Sequence, residues 1–288
     1  MIHRPVLLDE VIEMLNIKED GIYVDATVGA GGHTRAILSR LSDRGLVIGI
    51  DRDEEAIKRV GMTLKDRRLR LIHLDYSDMH RVLDITEAKV DGVLMDLGVS
   101  MYQLKDEQRG FSFSSEAPLD MRMDRTVRIT AADIVNTWSK EKIEKILRDY
   151  ADEKRARAIA ARIVQRRRKA RINTCKELAN IVMSVYKRRG RIHPATRTFQ
   201  ALRIAVNNEL EQLQEGLRSA IDILNKKGRL CVISYHSVED RVVKIFFREA
   251  EKQGLIKRIN KKPITPSERE IKENPSSRSA KLRVGERL

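Results

Sequence analysis

The sequence predicts an α/β fold: an open, mostly parallel sheet with helices on both faces, interrupted by a long helical stretch. Three observations carry this. Strand-like and helix-like runs alternate through the first hundred residues. The strand pattern then stops across about residues 105–195. It returns at Gly228 to Tyr235. Alternating strands and helices argue for parallel pairing through crossover helices, with ligands held at the carboxyl ends of the strands.

Met1 to Leu15 mixes Asp9, Glu10 and Glu13 with apolar residues, which predicts an amphipathic helix and not a signal peptide. Gly21 to Ala26 is a short β-rich run that ends in a glycine-rich turn, and His33 to Leu41 then has helical spacing. Gly45 to Asp51 is a second buried strand, Glu54 to Leu64 a second helix, Leu69 to Leu74 a third strand and Val90 to Asp96 a fourth. Residues 105 to about 125 read as loop, with Gly110 and Pro118. Residues 130–190 read as helices without strands, and Thr130 is placed to cap the first of them. The tail from Asn260, with Pro263, Pro266 and Pro275, is expected to wrap the surface irregularly.

The 288 residues allow one or two domains, and 41% apolar residues suffice for a sizeable core. No apolar run approaches the roughly 18–20 residues of a membrane span. Cys175 and Cys231 are far apart in sequence, which argues against a disulfide framework and fits a reducing cytoplasm. The histidines show no metal-ligand spacing, so no metal is expected. The net charge of +15 is uneven: residues 1–104 carry −4, residues 105–195 carry +11 and residues 196–288 carry +8. An acidic first third and a basic middle suggest a cofactor half and a polyanion-binding half, although a basic surface also serves solubility.

The segment Asp25-Ala26-Thr27-Val28-Gly29-Ala30-Gly31-Gly32-His33-Thr34 is the strongest local signal. Glycines suit a sharp strand-to-helix turn that a ligand approaches closely. Alone, such a turn fits a nicotinamide cofactor, a flavin, S-adenosylmethionine or a purely structural bend. Asp51 ends the second strand and is placed to accept hydrogen bonds from a ribose diol. Asp25 precedes the glycines, where a carboxylate would repel a pyrophosphate but attract a cation. Thr34 stands where the dinucleotide pattern has its third glycine. Together these favour S-adenosylmethionine over a dinucleotide. Tyr76, just past the third strand, is placed to stack on an adenine or is a surface tyrosine. Asp96, ending the fourth strand, is a candidate hydrogen-bond acceptor for an exocyclic amine, a cofactor contact, or both; its structural alternative is a helix cap. An acceptor there localises the amine lone pair as the methyl transfers, and orientation supplies roughly 7–11 kcal/mol of such a rate enhancement.

Residues 94–104 (LMDLGVSMYQL), 109–113 (RGFSF), 118–123 (PLDMRM), 196–210 (TRTFQALRIAVNNEL) and 234–241 (SYHSVEDR) resemble the motifs of the 16S ribosomal RNA (cytidine-N4)-methyltransferase family, RsmH or MraW. His3 to Leu8 is similar too, so the resemblance spans nearly the whole chain. It implies a Rossmann-like class I methyltransferase domain formed by residues 1–104 and 196–288. An inserted, all-helical, basic substrate-recognition domain would occupy 105–195. It implies S-adenosylmethionine contacts at Gly31, Gly32, His33, Asp51, Asp96 and Gln103. The family has an aromatic at the adenine position, to which Tyr76 is similar rather than identical. The implied reaction is methyl transfer to N4 of a cytidine near the decoding site, with ribosomal RNA or the small ribosomal subunit as partner.

On the substrate side, a base in folded RNA must be unstacked to reach a pocket. Tyr102, Phe111 and Phe113 are candidates to hold it, or else pin the insertion onto the core. The runs Arg166-Arg167-Arg168-Lys169-Ala170-Arg171 and Lys187-Arg188-Arg189-Gly190-Arg191 are candidate phosphate contacts, or solvated helix ends. His236 is a proton carrier at the site rim or a structural histidine, and Asn207 and Glu209 are equally ambiguous. The competing readings are an amino-methyltransferase acting on DNA or another RNA, a non-catalytic RNA-binding assembly factor, and a dinucleotide oxidoreductase.

Overall fold

The structure, a computed structural model, describes residues 5–186 and 193–288. The run Lys187 to Arg191 and residues 1–4 lie outside the described residues. The chain forms two compact units, one of Met1–Gly98 with Leu210–Leu288 and one of Val99–Glu209.

The first unit opens with α1 (Leu8–Leu15), β1 (Ile22–Asp25), α2 (Gly32–Leu38), β2 (Leu46–Asp51) and α3 (Glu54–Thr63), followed by β3 (Leu69–His73), α4 (Leu83–Thr86) and β4 (Val90–Asp96). All but α4 match strand and helix runs read from the sequence. Asp53 caps α3 by accepting from the Glu55 amide, and Glu54 and Glu55 add favourable charge in its first turn.

The second unit holds α5 (Met101–Lys105), α6 (Ala131–Thr137), α7 (Lys140–Ala151), α8 (Ala156–Arg167), α9 (Cys175–Met183) and α10 (Ala195–Asn207). Thr130 caps α6 as expected, in a capping box with Asp133. Two further boxes, Ser100 with Gln103 and Thr174 with Glu177, start α5 and α9. The core of this unit joins Leu119, Met121, Ile134, Leu147, Ile159, Ile163, Leu178 and Val182 with Phe199, Leu202 and Val206 of α10. Burial of that apolar face assigns α10 to the helical unit, so this unit runs to Glu209 and not to the expected residue 195.

The chain then returns through α11 (Glu209–Ile223), β5 (Leu224–Ser234), α12 (Ser237–Lys252), β6 (Ile256–Arg258), α13 (Glu268–Glu273) and β7 (Lys281–Arg287). The strand order is β3-β2-β1-β4-β5-β7-β6. Strands β1 to β5 pair in parallel, while β7 runs antiparallel to both β5 and β6. Side chains alternate between two buried faces, as an interior sheet requires. Val24, Ile48, Met95 and Val232 face one core with Leu217, Val243 and Phe247. Tyr23, Val47, Leu94 and Cys231 face the other with Val11, Leu15, Ile37 and Val60.

The tail departs from expectation. It is not irregular throughout, because its end inserts as β7 between β5 and β6. Leu282 and Val284 are fully buried and supply the period-two signal. Arg283, between them, points to the opposite face, where charge disguises the strand. Its guanidinium Nε donates to Asp240 Oδ1 at 2.7 Å, and Lys281 Nζ donates to Oδ2 at 3.1 Å. Burial works to raise the Asp240 carboxyl, but these two donors outweigh it and hold it below its ordinary value. Losing Arg283 takes away the shorter bond and leaves the buried Asp240 carboxylate only the Lys281 donor. Arg283→Ala is therefore expected to cost about 3 kcal/mol, read as a lower urea midpoint, with Ile245→Ala at an exposed site as a near-neutral control.

Candidate active site

The carboxyl ends of β1, β2 and β4 carry Asp25, Asp51 and Asp96. Pairing of β1 with β4 sets Asp25 beside Leu94, and the Ala26 amide donates to the Leu94 carbonyl at 2.8 Å. One step on, the Asp96 amide donates to Thr27 Oγ1 at 2.7 Å. The glycine turn is thereby tied to the end of the fourth strand.

The turn itself needs glycine at two points. Gly29 and Gly31 have φ of 53° and 77°, in the left-handed region. A side chain on Gly31 would also meet Val60 at 3.2 Å, and one on Gly32 would overlap Pro5. Both glycines in the predicted cofactor set are thus accounted for by backbone shape and packing. Asp25 is 1% exposed and accepts from Thr34 Oγ1 at 2.6 Å. Burial pushes its carboxyl above the ordinary range. The cation attraction inferred for it from sequence is weakened accordingly, since its charge is disfavoured and its oxygens serve the turn.

Asp51 bridges two turns. Its Oδ2 accepts from the Gly29 amide and its Oδ1 from the Asp53 amide, both at 2.8 Å. Each carboxylate oxygen keeps a second lone pair, enough to receive a ribose hydroxyl. Burial pushes this carboxyl up to about 6. Tyr76 lies partly buried against the core that includes Leu217. Its ring occupies the space beside Gly216, where any side chain would come within 2.6 Å of Tyr76 Cδ2.

At the Asp96 carboxylate two groups converge. Tyr235, just past β5, donates its hydroxyl to Asp96 Oδ1 at 2.7 Å. His33 Nε2 lies 3.6 Å from Asp96 Oδ2. His33 is only 6% exposed, yet neither of its ring nitrogens has a hydrogen-bond partner among the described residues. A buried imidazole without partners is costly unless something else supplies them, and a polar ligand is one such source. Sequence reading overlooked Thr27 and Tyr235. Tyr235 lay inside the quoted motif 234–241, but only the β4–β5 pairing reveals that it reaches Asp96.

His236 is held by its own helix. It caps α12, with Nδ1 accepting from the Glu239 amide at 3.3 Å and Nε2 lying 2.9 Å from Glu239 Oε1. The imidazole is engaged by its own helix, which favours the structural alternative.

The remaining predicted residues lie in the helical unit. Gln103 is buried, and its Oε1 accepts from the Ser100 amide at 2.9 Å, so that oxygen serves the helix cap. Tyr102 is 47% exposed. Phe111 belongs to the core and is not available as a stacking platform. Phe113 is partly buried and stacks on His193 with ring centroids 4.3 Å apart. Asn207 is a buried clasp: Oδ1 accepts from the Met123 amide and Nδ2 donates to the Met121 carbonyl, each at 2.7 Å. Glu209 receives Arg203 through two bonds of 2.8 Å. Both are structural.

The basic run divides in use. Arg167 donates to the Val135 carbonyl at 2.9 Å and Arg168 stands at the end of α8. Arg166 and Lys169, with Arg162, line a cleft of about 420 Å³ whose rim also holds Gln165, Asn180 and Ser184. Among the described residues that line it, Glu177 is the one carboxylate, 3.9 Å from Arg166.

The strand order, the glycine turn stapled to Asp51 and the acidic end of β4 define a methyltransferase of the open-sheet class. The chain belongs to the MraW methylase family, whose family model matches residues 1–288. It is 52% identical over 292 residues to the Ribosomal RNA small subunit methyltransferase H of Persephonella marina, with 99% of each chain covered. It is 49% identical over 292 residues to the protein of that name from a Sulfurihydrogenibium species, again with 99% of each covered. Among solved structures it resembles a protein described as an rRNA-methylase from Clostridium thermocellum, at a TM-score of 0.51 and 15% identity across the full length of both chains, a likeness of fold.

The Asp51 carboxyl gives the site a pH signature. Its folded value of about 6 exceeds the ordinary 3.8. Its stabilising contribution is therefore fully present below 3.8 and is lost as pH rises through about 6. A ribose diol donates hydrogen bonds and favours the ionised form, so the direction for ligand binding is opposite. Affinity for S-adenosylhomocysteine is expected to strengthen as pH rises from 5 to 7, measured by calorimetry, with Asp51→Asn flattening the Asp51 part of the profile.

Proposed function

We propose that this protein transfers a methyl group from S-adenosylmethionine to the N4 amine of a cytidine in small-subunit ribosomal RNA near the decoding site, in the cytoplasm. S-adenosylmethionine supplies a methyl group on a positively charged sulfur. The single observation that carries the reading is the Asp96 carboxylate, held at the end of β4 with one oxygen bound by Tyr235 and the other 3.6 Å from His33, a buried imidazole with no hydrogen bond among the described residues. Cofactor contacts are proposed at Gly31, Gly32, His33, Asp51, Tyr76 and Asp96.

The chemistry follows from the amine. Its lone pair is delocalised into the cytosine ring, which makes it a weak nucleophile. Asp96 Oδ2 accepts a hydrogen bond from the NH2 group and draws electron density back onto nitrogen. With S-adenosylmethionine bound, the amine nitrogen would take the methyl group through its lone pair and the S–C bonding pair would stay on sulfur, Asp96 holding the amine in line. The nitrogen, cationic once methylated, would release one N–H proton to water, which restores the neutral amine. Asp96 acts by orientation and electrostatics, with no covalent enzyme intermediate.

The helical unit is proposed to hold the RNA. Its basic excess and the cleft of Arg162, Arg166 and Lys169 support phosphate contacts. Tyr102 is proposed as a base contact because its ring is exposed.

Incubation of the full chain with assembled small subunits, free RNA or DNA, followed by nucleoside mass spectrometry, tests the reaction. N4-methylcytidine is expected in ribosomal RNA, with Asp96→Ala slowing its formation by on the order of 10²–10³-fold. Methylation of DNA alone would overturn the substrate, and full activity in Asp96→Ala would overturn its role. For the cleft, Arg166→Ala with Lys169→Ala is expected to weaken RNA binding. Each lost phosphate contact should flatten the plot of log affinity against log salt by about 0.7–0.9.

A further inference from the structure

Resting on the reading of Asp96 as the acceptor for the amine, we propose that Tyr235 is a positioning residue for methyl transfer: its hydroxyl binds Asp96 Oδ1 and leaves Oδ2 as the oxygen that meets the substrate. A lone aspartate at a strand end can rotate about its last bond and exchange its two oxygens. Here the 2.7 Å bond from the Tyr235 hydroxyl fixes the carboxylate plane. The backbone of Asp96 is fixed separately, its amide donating to Thr27 Oγ1 at 2.7 Å.

Tyr235 is itself well anchored. β4 and β5 pair with Asp96 opposite Ile233, and the Leu97 amide donates to the Ile233 carbonyl at 3.0 Å. The Tyr235 amide donates to Glu239 Oε2 at 3.0 Å, which ties it to the capped start of α12. Gly98, with φ of 99°, turns the chain past the tyrosine ring; a side chain there would sit 3.7 Å from Cδ2. Burial, followed by the Asp96 charge, pushes the phenol well above its ordinary value. The hydroxyl therefore keeps its proton and serves as a donor, not as the base that receives the proton of the reaction. The second oxygen is left pointing toward the imidazole of His33 at 3.6 Å. The arrangement spends one carboxylate oxygen on the protein and reserves one for the amine.

Tyr235→Phe removes the hydroxyl and keeps the ring, so the fold is retained. With S-adenosylmethionine in saturating amount and small subunits as substrate, its single-turnover rate is expected to fall by on the order of 10-fold, and up to about 10²-fold if the carboxylate moves by about 1 Å. Calorimetric affinity for S-adenosylhomocysteine and the thermal midpoint should stay near those of the unmodified chain. In an Asp96→Ala background, Tyr235→Phe should add no further loss, because the group it positions is gone. An undiminished rate in Tyr235→Phe would overturn the inference. So would a loss carried entirely by cofactor affinity, or the same loss in both backgrounds. Full activity of Asp96→Ala would instead overturn the underlying assignment of the acceptor.

Discussion

The structure of this site depends on one constraint, the parallel pairing of β1 with β4. The two strands are separated by two helix–strand repeats in sequence, and closing so long a loop is entropically unfavourable until the core repays it. Once Tyr23, Val24 and Asp25 lie beside Gly92, Val93 and Leu94, the turn after one strand meets the end of the other. Thr27 can then bind the Asp96 amide, and His33 comes within 3.6 Å of the Asp96 carboxylate. Gly92 shows how tight the pairing is, since any side chain there would strike the Tyr23 ring at 2.8 Å.

Three aspartates in similar positions are put to different uses by their surroundings. Asp25 is sealed beneath the glycine turn and organises it through Thr34. Asp51 joins the first turn to the second while keeping lone pairs for a ligand. Asp96 has one oxygen bound by Tyr235 and a second that takes no hydrogen bond among the described residues and lies 3.6 Å from His33. Burial decides among them: the deeper carboxylates resist ionisation, whereas Asp96, at 23% side-chain exposure, remains accessible to a substrate amine.

The helical unit divides its sequence motifs in a comparable way. Several of the motif residues that carry the family likeness turn out to build the unit. Arg109 donates to the Met123 carbonyl at 2.7 Å, Asn207 clasps Met121 and Met123, and Arg122 pairs with Asp120. Long loops such as residues 106–130 have few backbone partners of their own, and buried side chains must satisfy them. A motif residue therefore signals either chemistry or scaffolding, and hydrogen bonding separates the two. Hydrogen bonds assign Asn207 and Glu209 to scaffolding and burial assigns Phe111, whereas Tyr102 and Lys169 are exposed and Arg166 lines the cleft.

By itself the sequence determined the alternation of strands and helices, the glycine turn, the carboxylates at the strand ends and the basic middle of the chain. All of these are local: hydrophobic period, turn chemistry and charge are readable within a few residues. It also carried the family likeness, through motifs in a fixed order. Only the tertiary structure decided that β7 enters the sheet, that His236 is a helix cap, that α10 belongs to the helical unit and that Tyr235 reaches Asp96. Each depends on which distant segments pair, and a hydroxyl meeting a carboxylate across 139 residues leaves no periodic trace along the chain.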